Sequence, residues 1–433
     1  MELDRAWADL TLHSLLRQRD LPKRERAFAT ELAYGALRTR GRLDCALRQV
    51  LDRDLDGLEP GLRNLLRLGA YQLLVLEGVR DATAVDETVK LGRAAGFARA
   101  SGFINAVLRQ LANRRESLVY PELESDPIDC VRDRGSLPQW LAERWVEELG
   151  PKAALELAEV SQSPPPRTVR LSPGTDKRAV VSRLGGRSCQ YAPDGLTGLV
   201  SDPVQDPGFA RGEFNIQDEA SQLVALLVDA QEGDTVVDCC AAPGGKAVQL
   251  AQTVGPRGEV IALELHERRL GLIRRERDRL GLKNLRILAR DVAKGFDLQG
   301  RLWFSRILVD APCSGLGVLR RNPDARWNAR AEEVQRLADT GLSILESAAR
   351  YVEDGGVLVY SVCTVTPEET HGVIQRFRES HPEFEIDDAR PFLPEAAAGL
   401  VELAGPTPGA LRTWPHLHGC DGFYAVRLRK QPK

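Results

Sequence analysis

Apolar positions follow two different periods along this chain, and the change from one to the other divides it. In RERAFATELAYGALRTR, Phe28, Leu32 and Ala36 recur every four residues, and in LRNLLRLGAYQLLVL the positions Leu62, Leu65, Leu66 and Leu73 keep a similar spacing. Each set makes one apolar stripe on a helix of about 3.6 residues per turn. VDETVKLGRAAG and GFINAVLRQLANRR extend the pattern, so residues 1–128 predict an all-α bundle with short connections. Past the turn-prone YPELESDP, helices are expected in QWLAERWVEELG and KAALELAEV, and the prolines at 164–166 lead into a strand-like RTVRL. Short elements around Gly185–Gly186 complete a small α/β middle unit over 129–222. From 223 to 430, strand-length runs alternate with helical stretches: TVVDCC, EVIALEL, LRILAR, RILVDA and GGVLVYSV, with FYAVRLR expected to close the sheet edge. That alternation predicts βαβ units on a parallel sheet.

Composition changes this picture little. A hydrophobic fraction of 43% with 28% charged residues is that of ordinary globular chains, and no apolar run reaches the roughly 18 residues of a membrane span. The N-terminal MELDRAW carries acids where a signal peptide needs an apolar core, so a cytoplasmic protein is expected. A net charge of −3 gives no global attraction for nucleic acid, so any phosphate contacts must come from local basic surface. Arg17, Arg19, Lys23, Arg24 and Arg26 form one such cluster, with Arg38, Arg40 and Arg42 close behind; solvated helix faces are the plainer reading of both. None of the eight cysteines falls in a CxxC pair or a zinc-binding spacing, so free thiols and no metal are expected.

The first strand of the C-terminal part ends in Asp238-Cys239-Cys240-Ala241-Ala242-Pro243-Gly244-Gly245-Lys246, followed by a helix. Glycines at a strand-to-helix turn let a ligand approach the backbone, although a tight structural turn would use them equally well. The second strand ends at Glu264, 26 residues beyond Asp238, and the third delivers Asp291. An acid about 20 residues past a glycine turn suits a ribose. Turn, acid and acid on successive strand ends describe a nucleoside pocket, equally apt for NAD or S-adenosylmethionine.

The fourth strand runs into Asp310-Ala311-Pro312-Cys313-Ser314-Gly315, and the fifth into Cys363-Thr364. If these strands are neighbours, their ends lie about 5 Å apart and both thiols face one site. A redox disulfide is the competing use of two close thiols, but the usual CxxC arrangement is missing.

DCCAAPGGK, VDAPCSGLGVLRRNPDARW and VYSVCTVTPEE together resemble the motifs of the RsmB/Sun (Fmu) family of RNA cytosine-5 methyltransferases, and RERAFATELAYGALR with FINAVLRQL resembles the NusB-type helical RNA-binding domain that precedes them. The resemblance spans almost the whole chain. It implies a NusB-like bundle, a small middle unit and a Rossmann-like methyltransferase domain acting on a cytosine of 16S rRNA, with transfer RNA as an alternative substrate. It implies S-adenosylmethionine as cofactor, held by Cys240, Ala241, Ala242, Pro243, Gly244, Gly245 and Lys246 around the methionine part, Glu264 at the ribose and Asp291 near the adenine. Asp310 would contact cofactor and target base, with Lys246 also approaching the base. A monomer acting on RNA, without metal or membrane, is expected.

The chemistry explains why thiols are wanted. Carbon 5 of cytosine is a poor nucleophile until a thiolate adds to carbon 6, which is covalent catalysis. Either thiol satisfies that scheme. The family pattern makes Cys363 the nucleophile and Cys313 the residue that assists product release, whereas DNA cytosine-5 methyltransferases use the cysteine that follows proline. Three departures from the family pattern stand out: Val362 where a threonine usually precedes the nucleophile, Glu264 for a more usual aspartate, and no glycine after Asp291.

QDEAS (217–221) and HGCDGFYA (418–425) resemble flanking family motifs. Arg320, Arg321 and Trp327 are candidates for holding phosphate and stacking a base, or for a structural role. Cys239 is expected to pack in the core; Cys45, Cys130, Cys189 and Cys420 read as structural, and His416 and His418 as surface residues. A non-catalytic RNA-binding or antitermination factor is the competing class, and its mark would be loss of Cys363, Cys313 or Asp310. All three are present.

Overall fold

The computed structural model describes residues 8–432 except 297, 299, 301 and 302, and leaves out the side chains of 8–10 and 13. The MELDRAW segment and the side chain of His13 lie outside the described residues. Two compact units form: residues up to 164 together with 319–329, and residues 165–318 together with those from 330 on.

The first unit is helical: α1 (Ala8–Arg17), α2 (Lys23–Arg38), α3 (Arg40–Arg48), α4 (Pro60–Leu74), α5 (Asp81–Ala94), α6 (Ser101–Asn113), α7 (Pro127–Arg134), α8 (Gln139–Leu149) and α9 (Pro151–Val160). Proline opens α4, α7 and α9, where its missing N–H costs nothing. The apolar stripes meet in a core of Leu43, Leu47, Leu65, Leu66, Ile104, Leu108 and Leu111. Leu32 and Ala36 of the α2 stripe pack against it, but Phe28 at its N-terminal end is 43% exposed. A buried bidentate pair joins α4 to α3, Arg67 donating to both oxygens of Asp44 at 2.7 Å. Helices α8 and α9, placed by sequence in the middle unit, belong to this one together with α7.

A short segment from far along the chain completes it. The turn α15 (Ala325–Asn328) carries Arg326, fully buried, whose guanidinium donates to the carbonyls of Arg38, Ser136, Ser161 and Leu319 at 2.8–3.4 Å. Trp327 Nε1 donates to Leu37 O at 2.8 Å.

The second unit begins with a small antiparallel sheet ordered β2-β3-β1-β4, from β1 (Val169–Leu171), β2 (Arg187–Ser188), β3 (Gly195–Thr197) and β4 (Phe214–Ile216), with α10 (Lys177–Leu184) and the short α11 (Pro207–Ala210). Helix α12 (Glu219–Leu226) then enters the main fold: β5 (Thr235–Asp238), α13 (Gly245–Val254), β6 (Glu259–Glu264), α14 (Glu267–Leu280), β7 (Leu285–Ala289), β8 (Phe304–Asp310), α16 (Ala331–Ala349), β9 (Val352–Val362), α17 (His371–Ser380), β10 (Phe384–Asp387), β11 (Leu411–Arg412), α18 (Pro415–His418) and β12 (Tyr424–Lys430). The sheet order is β10-β12-β9-β8-β5-β6-β7, with β11 beside β12.

Strands β7, β6, β5, β8 and β9 are parallel. Their apolar runs are continuous because helices cover both faces. Val236, Val260, Ala262 and Leu308 face α12, α13 and α14, while Val237, Ile261, Leu263, Ile307 and Val309 face α16 and α17. One expectation is corrected: FYAVRLR forms β12 but does not close the sheet. It lies antiparallel between β9 and β10, so Phe384–Asp387 is the edge. Two antiparallel partners satisfy both sides of the apolar, arginine-flanked β12 backbone, whereas β10 is only four residues long.

Candidate active site

Because the central strands are parallel, their carboxyl ends share one edge, and each motif singled out above leaves the sheet there. After β5, the Cys239 N–H donates to Leu308 O at 2.8 Å and the Ala241 N–H to Leu263 O at 2.9 Å, stitching the turn between β8 and β6. Gly244 takes φ 118°, which L side chains rarely adopt, and Ile273 stands 3.4 Å from where a Cβ would be. Helix α13 starts at the next residue. Cys239 is buried as expected, and burial followed by the Asp238 charge pushes the half-buried Cys240 thiol well above its ordinary range.

Glu264 ends β6 almost wholly buried; its Oε1 accepts the His266 N–H at 3.0 Å, and Arg269 lies 3.5 Å from Oε2. Arg269 also donates to Ala242 O at 3.1 Å, so one guanidinium joins the acid to the turn. Asp291 follows β7 and pairs with Lys294 at 3.0 Å. Asp238 beneath the turn is 1% exposed. A turn with two successive glycines, a buried acid for ribose hydroxyls and a second buried carboxylate fit a nucleoside bearing a cationic tail.

The other half forms between β8 and β9, whose register sets Asp310 opposite Ser361. The Ser361 hydroxyl donates to Asp310 Oδ1 at 2.7 Å, and Lys246 Nζ donates to Oδ2 at 2.8 Å. Lys246 is buried, 4.9 Å above the Phe423 ring. Against that burial, the Asp310 carboxylate holds its pKa above the ordinary ammonium value. Beyond the ladder, Cys313 Sγ and Cys363 Sγ lie 3.5 Å apart. Hydrogen bonding to Cys363, and then burial, push the Cys313 thiol well above its ordinary range, so it keeps its proton. The flanking motifs meet as well, the Asp421 N–H donating to Asp218 Oδ1 at 3.1 Å.

Several residues lie elsewhere. Arg320 and Trp327 belong to the helical unit, where the Arg320 carbonyl accepts from Arg38 at 3.3 Å and Trp327 is bonded to Leu37. Trp327 lines a cavity of about 440 Å³ there, in which Arg40, Arg48 and Arg132 are matched by Asp44, Asp56 and Asp133. Arg38 is buried, which splits the second basic cluster, while Arg17, Arg19, Lys23, Arg24 and Arg26 are all exposed. His418 Nδ1 accepts the Trp414 N–H at 2.8 Å, and no group of metal-binding side chains occurs among the described residues. The sequence reading did not single out Ser361, Phe423 or Glu369. Glu369 closes the quoted VYSVCTVTPEE motif, and only the fold shows what its carboxylate touches.

A doubly wound sheet with this cradle and thiol pair on its carboxyl edge defines an S-adenosylmethionine-dependent methyltransferase. Residues 225–429 match the sequence profile of the 16S rRNA methyltransferase RsmB/F, and residues 1–113 match that of the NusB family. The chain belongs to the RsmB/F family of 16S rRNA methyltransferases. It is 34% identical to the Bacillus subtilis "Probable ribosomal RNA small subunit methyltransferase B", covering 100% of this chain and 96% of that one. It is 36% identical to ribosomal RNA small subunit methyltransferase B of Thermus thermophilus, covering 99% and 95%. The fold is shared with the crystal structure of PH0851 at a TM-score of 0.77, with 22% identity over 96% of this chain and 93% of that one.

Proposed function

We propose that this enzyme methylates carbon 5 of a cytosine in 16S rRNA, using Cys363 as nucleophile and Cys313 to assist release. The observation that carries the reading is the 3.5 Å approach of the two sulfurs beside an Asp310 held from both sides by Lys246 and Ser361.

Cys240 to Lys246, with Glu264 and Asp291, hold S-adenosylmethionine, which supplies an electrophilic methyl group. Cys363 adds to carbon 6 of the base, forming an S–C bond and moving the ring electrons so that carbon 5 becomes nucleophilic. Asp310 relays a proton from the Lys246 ammonium to ring N3 as negative charge develops there. Its two fixed donors leave it little freedom to turn away. Carbon 5 takes the methyl as the methyl–sulfonium bond breaks and S-adenosylhomocysteine leaves; water then accepts the carbon-5 proton, whose electron pair restores the C5–C6 double bond and expels the Cys363 thiolate. Cys313, which keeps its own proton, hydrogen-bonds to the departing sulfur. The base must leave its stack for a thiol to reach carbon 6, so an open or single-stranded site in the RNA is required.

The test compares wild type, Cys363→Ala and Cys313→Ala on 16S rRNA with labelled S-adenosylmethionine. Wild type should form 5-methylcytosine, Cys363→Ala should form none, and Cys313→Ala should accumulate a protein–RNA adduct that survives denaturation. An adduct appearing with Cys363→Ala instead would exchange the thiols' roles. Absence of label in 16S rRNA, with the cofactor still bound, would overturn the substrate and turn attention to transfer RNA.

A further inference from the structure

The β8–β9 ladder accounts for Asp310 and Ser361 but ends before either thiol. Strand β9 stops at Val362, and the backbone bonds that continue past it are Ala311 N–H to Ser361 O at 2.8 Å and Gly317 N–H to Cys363 O at 3.1 Å. Cys313 lies on the loop spanned by those two. The neighbours of the cysteines show what else fixes them. Ser314 donates to Glu369 twice, from its N–H to Oε1 and from its hydroxyl to Oε2, both at 2.6 Å. The Thr364 hydroxyl lies 3.1 Å from the same Oε2 and 2.8 Å from the Ser314 hydroxyl. Thr366 adds a further donor at 2.6 Å. One carboxylate, 1% exposed, therefore bonds the residue after each thiol.

Glu369 is itself anchored, since the buried Tyr360 hydroxyl on β9 donates to its carbonyl at 2.7 Å. We propose that Glu369 is the positioning residue that holds Cys313 and Cys363 in working contact, by clamping the two thiol loops to one buried carboxylate. The proposal rests on the reading that both thiols act in the reaction. Neutral hydroxyls and an amide supply the donors described, so geometry rather than charge neutralisation is what this carboxylate provides. Its charge has a secondary effect, contributing after Cys363 and burial to keeping the proton on Cys313. Displacing one thiol by about 1 Å is enough to cost on the order of 10²-fold in rate.

The test uses Glu369→Gln in the full chain, with Ser314→Ala and Thr364→Val as milder variants that each remove one hydroxyl. Diamide, an azo oxidant, is applied to the free enzyme; it takes up two hydrogens as the two sulfurs join. Peptide mapping then measures how fast the Cys313–Cys363 disulfide forms, without RNA or methyl transfer. Glu369→Gln should slow that cross-link and lower kcat by at least about tenfold, while KM for S-adenosylmethionine and Tm stay near wild type. The hydroxyl variants should give smaller losses in the same two readouts. A cross-linking rate equal to wild type in Glu369→Gln overturns the clamp. So does parallel loss of Tm and cofactor affinity in all three variants, which would mark a merely structural role. Failure of the covalent reading is seen separately, as methylation that survives Cys363→Ala.

Discussion

Asp238 carries an electrostatic cost that its position at the end of β5 imposes. Its carboxylate is buried, and burial, followed by the Asp310 charge, raises its pKa from 3.8 to about 7. The unfolded chain gives up this proton near pH 3.8 and the folded chain near pH 7. Across that window the folded state binds more protons, so this residue's contribution to stability falls as pH rises and levels off above about pH 7. Asp238→Asn cannot ionise. Its thermal midpoint relative to wild type should therefore climb steadily between about pH 4 and pH 7 and then flatten; an offset constant across pH would show that Asp238 does not titrate there. Among the residues at the site, those legible from sequence were the ones whose chemistry is unusual in context: two thiols after strands, an acid ending a strand, a lysine opening a helix. Ser361 and Glu369 are common residue types, and their roles come from the β8–β9 register and from a loop folding back, neither of which periodicity reports.

Strands and helices were mostly legible because burial on both faces writes a continuous apolar run, and burial on one face writes a 3.6-residue stripe. The order of strands was less so. β12 was expected at the edge, yet Arg427 is buried, its guanidinium lying over the Phe392 ring at 3.7 Å and bonded to Asp387 and Leu227 O. The segment 319–329 was harder still, because its partners lie up to 290 residues away. There the Arg326 guanidinium serves the carbonyl groups of Arg38, Ser136 and Ser161, and burial, then Arg38, lowers its pKa to about 9. Arg326→Met would leave those carbonyls unpaired at about 1–3 kcal/mol each, offset in part by no longer burying a charge. A net loss on the order of 3 kcal/mol in the urea unfolding of the helical unit is expected, with the exposed Arg330→Met unaffected. Equal stability of the two variants would mean that the helices hold without the inserted turn.

At the scale of the whole molecule, a net charge of −3 must be reconciled with an RNA substrate. Exposed charges separated by more than a Debye length, about 8–10 Å at physiological salt, are largely screened from one another, so affinity depends on where the cations gather rather than on the net sum. The described residues include no helix long and apolar enough to cross a membrane, and the exposed basic run that stands out is Arg17, Arg19, Lys23, Arg24 and Arg26 in the NusB-family helices. Arg38 is excluded from it by burial, and the arginines around Trp327 are matched by aspartates. If that run tracks the RNA backbone, each phosphate it neutralises contributes about 0.7 to the slope of log affinity against log salt for a single strand. Reversing Lys23, Arg24 and Arg26 to glutamate should then flatten the slope by about 2, while the affinity for S-adenosylmethionine, bound in the other unit, stays unchanged. A filter-binding salt titration with 16S rRNA reads both quantities on the same preparations. An unaltered slope would move the phosphate contacts off α1 and α2 and leave the small β2-β3-β1-β4 sheet, with Arg167 and Arg187 exposed, as the next surface to reverse.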